Sequence, residues 1–127
     1  MKTNYLQSAL LFLPAVVWMG FLFFLSHQPA LPSFDVILWD FLFRKSAHVF
    51  VYGVLFLTWW WAFRKIEKRD KIRIGCKWWL ILLFCFIYAC LDEFHQFFIP
   101  GRTAALYDVG LDVLGSVIAC LYVYRVI

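Results

Sequence analysis

Four apolar stretches, Leu6 to Leu25, Ala47 to Phe63, Trp78 to Ile99 and Ala104 to Tyr124, alternate with short polar breaks along the chain. At 1.5 Å per residue, about 20 residues of helix cover a hydrocarbon core of about 30 Å. The pattern therefore predicts four transmembrane helices, at 6–25, 47–63, 78–99 and 104–124. Pro100-Gly101-Arg102-Thr103 stops a helix and supplies a tight turn, so the third and fourth spans should pack antiparallel. Between the first two spans, Pro29 and Pro32 open a segment whose apolar positions 34, 37, 38, 41 and 42 follow helical spacing. That spacing predicts a short amphipathic segment on the outer membrane surface. The expected fold is all-α, an integral membrane four-helix bundle forming one domain over residues 1–127, with that segment between helices 1 and 2.

Composition agrees. The 127 residues are 65% hydrophobic and 22% aromatic, with mean hydropathy +0.79, outside the range of a soluble domain of this size. The first stretch has one Lys before it and no small-residue cleavage pattern ahead of Ser26-His27-Gln28-Pro29, so it reads as a retained helix and not as a signal peptide. The formal charge of +4 does not indicate nucleic acid, because seven of the twelve basic residues fall between Arg64 and Lys77. A basic cluster between two spans is a topology signal that puts this loop, and with it both termini, on the cytoplasmic side of a cell membrane. Trp59, Trp60, Trp61, Trp78 and Trp79 flank the loop as an interfacial belt. Cys76, Cys85, Cys90 and Cys120 have no metal-ligand spacing and read as small buried hydrophobes.

Against this background the polar interruptions stand out. Asp92-Glu93-Phe94-His95-Gln96 breaks the third span, although an ionised side chain at the centre of a membrane helix costs roughly 2.5–3.5 kcal/mol. Asp92 follows Lys77 by fifteen residues, about 22 Å of rise, which puts it in the outer third of the membrane. Lys45, His48 and Tyr52 share a face of the second span at i, i+3 and i+7, and Asp108, Asp112 and Gly115 form a stripe on the fourth. Three helices thus present polar groups at one depth, which implies an outward-facing cavity. A proton or ion carrier is disfavoured, since Tyr88 is the one polar candidate for continuing a path inward.

Each residue has a plainer role to set beside this. Lys45 can snorkel, Tyr52 and the histidines can be satisfied core groups, and Gln96 can tie helices together. Gly115 reads first as a close-packing position. Glu93 points about 100° away from Asp92, so only one of them faces the centre squarely. Asp92, Glu93, Asp108 and Asp112 outweigh Lys45 and Arg102 by two negative charges. Protonation or a divalent cation must balance the difference, but no ligand spacing selects a metal, and the cofactor is left open.

Arg44-Lys45-Ser46-Ala47-His48 with Tyr52, then Asp92-Glu93-x-His95-Gln96-x-x-x-Pro100-Gly101-Arg102, then Asp108-x-x-x-Asp112-x-x-Gly115, together resemble the VanZ-like family of small bacterial membrane proteins. The resemblance spans roughly residues 20 to 125. It implies a four-helix membrane domain in a family named for a protein associated with teicoplanin resistance. The family has been grouped with membrane enzymes acting on phospholipid headgroups, such as phosphatidylserine synthases. Two positions depart from its pattern: residue 112 is often Asn in such proteins and here is Asp, and the residue before the motif Tyr is often Glu and here is Val51.

The combined expectation is a site that acts on the phosphoester headgroup of a membrane lipid or lipid-linked envelope molecule, by hydrolysis or headgroup exchange. Lys45 and Arg102 would hold the phosphate, with Tyr52 and Gln96 completing the binding set. His48 or His95 would move the proton, supported by Asp92, Glu93, Asp108 and Asp112. The alternative is a non-catalytic binder of headgroups, wall precursors or amphiphilic antibiotics. Neither oligomeric state nor substrate identity can be read from the chain. The topology is checked by single cysteines at positions 101 and 70 in intact cells: an impermeant thiol reagent should label 101 and not 70, and the opposite pattern inverts the assignment.

Overall fold

The computed structural model describes residues 4–29, 35–71 and 78–125, and its regular structure is helical: α1 (Tyr5–Leu11), α2 (Leu13–His27), α3 (Ile37–Asp70), α4 (Trp78–Phe97) and α5 (Leu106–Val123). Pro32, Phe34, Arg73, Cys76 and Lys77, used in the sequence reading, lie outside the described residues. The helices α3, α4 and α5 are each long and apolar enough to cross a membrane, and α1 with α2 makes a fourth span if the bent pair is one. The sequence assigned this pair to a single helix at 6–25. The chain instead bends by 42° at the break, and Pro14 at the start of α2 supplies the cause. A proline ring has no N–H and collides with the carbonyl four residues earlier. Phe12 N consequently bonds Ala9 O at 3.1 Å, and helix resumes with Val16 N on Phe12 O at 3.0 Å.

A second difference concerns the segment before the second span. Residues from Ile37 onward do not form a separate surface element but run into that span as one 34-residue helix. Ile37 to Ser46 contains no Pro or Gly, and Asp40 pairs with Arg44 at i, i+4 and 2.9 Å, so nothing interrupts the helix. At 1.5 Å per residue α3 is about 51 Å long, well beyond a hydrocarbon core. Its C-terminal end carries the basic cluster, with Arg64 over the Trp60 ring and Lys65 over the Trp61 ring. Trp59 instead turns inward, stacked near Phe12 and Phe84, so it serves as packing and not as part of the aromatic belt.

The burial pattern is inverted relative to a soluble bundle. Glu93, Gln96, Asp108, Asp112 and Ser116 are buried, whereas Phe50, Phe94, Phe97, Phe98 and Leu106 are largely exposed. A chain with this surface requires an apolar surrounding. The apolar core is formed by Tyr52, Leu55 and Phe56 of α3 against Ile81, Cys85 and Ala89 of α4 and Ala119 and Cys120 of α5. Cys85 and Cys120 are buried, as the sequence suggested, while Cys90 faces outward. The helix α2 is tied in by polar side chains on backbone carbonyls: Trp18 Nε1 donates to Val51 O at 2.9 Å, and Tyr88 Oη donates to Met19 O at 2.7 Å.

The most extensive helix pairing is α3 with α5, and glycine sets it. A Cβ built on Gly115 would lie 2.0 Å from Val49 O, whereas one on Gly53 would lie 3.3 Å from Gly115 O. Small residues let two membrane helices approach backbone to backbone. At this crossing Ser116 Oγ donates to Tyr52 O at 3.3 Å. Gly115→Ala should therefore force α3 and α5 apart and cost at least the roughly 1–3 kcal/mol of an overpacked core. Gly110→Ala, where a Cβ meets nothing within 4 Å, should be neutral. Thermal unfolding in detergent measures both, and equal midpoints would contradict the close crossing.

Candidate functional site

The end of the bundle opposite the basic cluster collects the C-terminal turn of α2, the early turns of α3, the last turns of α4 and the first turns of α5. They enclose a half-open cavity of about 220 Å³, together with the connection from α4 to α5. That connection folds back through Gly101, whose φ of 81° lies in the left-handed region that glycine adopts without strain. It is anchored where Glu93 Oε2 accepts a hydrogen bond from Ala105 N at 3.0 Å, just ahead of α5.

Helical spacing on both sides of the α3–α5 crossing produces paired contacts. Lys45 and His48 on α3 meet Asp108 and Asp112 on α5: Lys45 Nζ donates to Asp108 Oδ1, and His48 Nδ1 lies 2.7 Å from Asp112 Oδ1. His48 Nε2 is 4.0 Å from the other oxygen of Asp108. Lys45 is further held between the rings of Phe41 and Tyr107. Its charge is thus already engaged by a carboxylate, and the residue also lines the cavity.

Arg102 lines the cavity and makes no ion pair among the described residues. Burial lowers its pKa, an effect opposed mainly by the carboxylate of Asp92 and reinforced by the nearby Arg44 guanidinium. It stays a cation, since a guanidinium keeps its proton throughout the physiological range. Arg44 also lines the cavity while its Nε is bonded to Asp40. The sequence reading quoted Arg44 without assigning it a role, although its place beside Lys45 in the motif was the available signal. Ser26, just before the end of α2, is buried in the same wall.

The structure divides the acidic pair and the two histidines between the cavity and its surroundings. Asp92 and Gln96 line the cavity along with Tyr52, Asp108 and His48; Glu93 and Asp112 lie behind its wall. This agrees with the expected 100° between Asp92 and Glu93. His95 is not among the lining residues. Its Nε2 lies 3.2 Å from His27 Nδ1 on the α2–α4 seam, with the tilted Phe23 ring centred 4.8 Å from its own. The Tyr52 hydroxyl is buried without a hydrogen-bond partner, so it keeps a donor available at the deep side of the cavity.

The Lys45–Asp108 pair couples α3 to α5 as a unit. Lys45→Met or Asp108→Leu alone should destabilise toward the low end of the roughly 3–5 kcal/mol lost when one member of a buried pair is removed, because Lys45 is partly exposed. The double variant should recover most of that loss. Unfolding midpoints of the four proteins check this, and additive losses would mean the pair carries no coupling.

No curated protein and no solved structure matches the chain. A family model described as VanZ/LLP1 matches residues 10–127, which takes in every cavity residue named above. With the three motifs on three helices meeting in one polar cavity, and with the match running over nearly the whole chain, this protein belongs to the VanZ-like family.

Proposed function

We propose that the cavity acts on the phosphoester headgroup of a membrane lipid or lipid-linked envelope molecule, by hydrolysis or headgroup exchange, from the extracytoplasmic side of the bacterial membrane. The observation that carries this reading is the His48–Asp112 contact at 2.7 Å in the wall of a cavity also lined by Arg102, which has no ion-pair partner among the described residues. A buried carboxylate on Nδ1 fixes the imidazole tautomer and leaves Nε2 as the base. Arg102, through its planar fork, and the free guanidinium nitrogens of Arg44 would hold the phosphate oxygens. Leu22, Leu25, Phe43 and Val51 form an apolar wall beside these groups, suited to the acyl or isoprenoid part of an amphiphile.

In this scheme His48 Nε2 removes the proton from water, or from an incoming headgroup alcohol, as its oxygen attacks phosphorus. The bond from phosphorus to the departing alcohol breaks, and Tyr52 Oη supplies the proton that alkoxide needs. Tyr52 then regains a proton from His48 through the new product. Lys45, neutralised by Asp108, positions the α3–α5 pair and does not touch the phosphate. The family's association with glycopeptide resistance fits an altered envelope lipid or wall precursor.

Purified protein is incubated with lipids extracted from its native membrane, with and without divalent cations, and lipid species are compared by mass spectrometry. Wild type should convert at least one phosphoester lipid, and His48→Gln should slow that conversion by roughly 10²–10⁴, the usual weight of a general base. Lipid that co-purifies without conversion, equally in wild type and His48→Gln, would instead support a non-catalytic binder.

A further inference from the structure

Behind the cavity wall, α3, α4 and α5 each contribute one group to a second cluster. His48, Glu93 and Asp112 offer ligand atoms that all lie within 4.8 Å of one another. Asp112 is fully buried and Glu93 is only 5% exposed. Two of their oxygens, Glu93 Oε1 and Asp112 Oδ2, are buried with no hydrogen-bond partner among the described residues. Their sister oxygens are used, by Ala105 N and by His48 respectively. Neither orphaned oxygen is accounted for by the contacts that build the cavity.

An unsatisfied carboxylate oxygen at low dielectric is costly, and two of them on side chains of one cluster are more so. From this arrangement we propose that His48, Glu93 and Asp112 form a binding site for a single divalent cation of the Mn²⁺ or Zn²⁺ class. One imidazole nitrogen with two carboxylates is a mixed donor set, which suits these ions better than all-oxygen Mg²⁺ or Ca²⁺ sites. Two carboxylates with a neutral imidazole are balanced by a charge of +2. Ligands at ~2.1 Å from an ion are at most ~4.2 Å apart, so binding asks for closure of about half an ångström at the widest separation.

The site stands independently of lipid turnover, since it needs no substrate. It has one consequence for the cavity. With one ring nitrogen of His48 on the ion, the other would keep the ring proton and act as a donor instead of a base. Metal loading then changes the part His48 plays in proton transfer without altering which residues line the cavity.

The test uses full-length protein in detergent, stripped with chelator and titrated with MnCl₂ or ZnCl₂. Bound metal is counted by elemental analysis, and Mn²⁺ is followed by electron paramagnetic resonance. Wild type should take up one ion per chain and melt at a higher temperature when loaded. Glu93→Gln retains an oxygen for Ala105 N, so it should fold without metal yet bind at least 100-fold more weakly and lose the metal-dependent melting shift. His48→Gln should behave likewise, while His95→Gln should bind as wild type does. Absence of saturable one-to-one binding, undiminished binding by Glu93→Gln, or loss confined to His95→Gln would each overturn the site.

Discussion

The close approach of α3 and α5 at Gly115 is the constraint on which the rest depends. Where a methyl group would lie 2.0 Å from Val49 O, there is room for a hydrogen atom only. The two backbones can therefore approach closely enough for residues one turn apart on each helix to meet in pairs. Lys45 reaches Asp108 and His48 reaches Asp112 because they lie along the same crossing. A wider crossing would leave Asp112, fully buried, without its imidazole partner. That is the most expensive failure available to a carboxylate in an apolar medium.

The crossing also explains why one end of the bundle is polar while its outer surface is not. In lipid, apolar side chains gain little by turning inward, so polar contacts and close packing hold the helices together. The described helices follow this rule: indole and phenol groups of α2 and α4 bond backbone carbonyls, and a serine of α5 bonds a carbonyl of α3. The charged groups are kept for the cavity end. There, Glu93 secures the connection into α5 while Asp92, one residue earlier, faces the cavity. One helical step thus divides an acidic pair into a structural member and a chemical one.

Much of this was legible in the sequence because helical periodicity acts at short range. The stripe of Lys45, His48 and Tyr52, the Asp108–Asp112 spacing and the packing role of Gly115 each follow from 3.6 residues per turn. What escaped was set by longer-range geometry. The bend at Phe12 was signalled by Pro14, but length and hydropathy alone count the pair as one span. The extension of α3 back to Ile37 was hidden by an amphipathic pattern that a surface helix and a protruding span share. The parting of His48 from His95 could not be read from spacing either. His95 sits one residue from Gln96, yet that 100° step turns it to His27 on another helix while Gln96 lines the cavity.

The most direct measurement addresses the crossing itself. A Cβ at position 53 would stand 4.0 Å from that of Ala119, within the range of about 3.5–4.5 Å that a disulfide spans. In a variant with the four native cysteines replaced by serine, Gly53→Cys with Ala119→Cys should cross-link α3 to α5 on mild oxidation. The control pair Gly20→Cys with Gly110→Cys, whose positions have nothing within 4 Å, should not. Rapid, near-complete cross-linking of the first pair alone is the result this account predicts; no cross-link beyond the control would contradict the crossing and the site built on it.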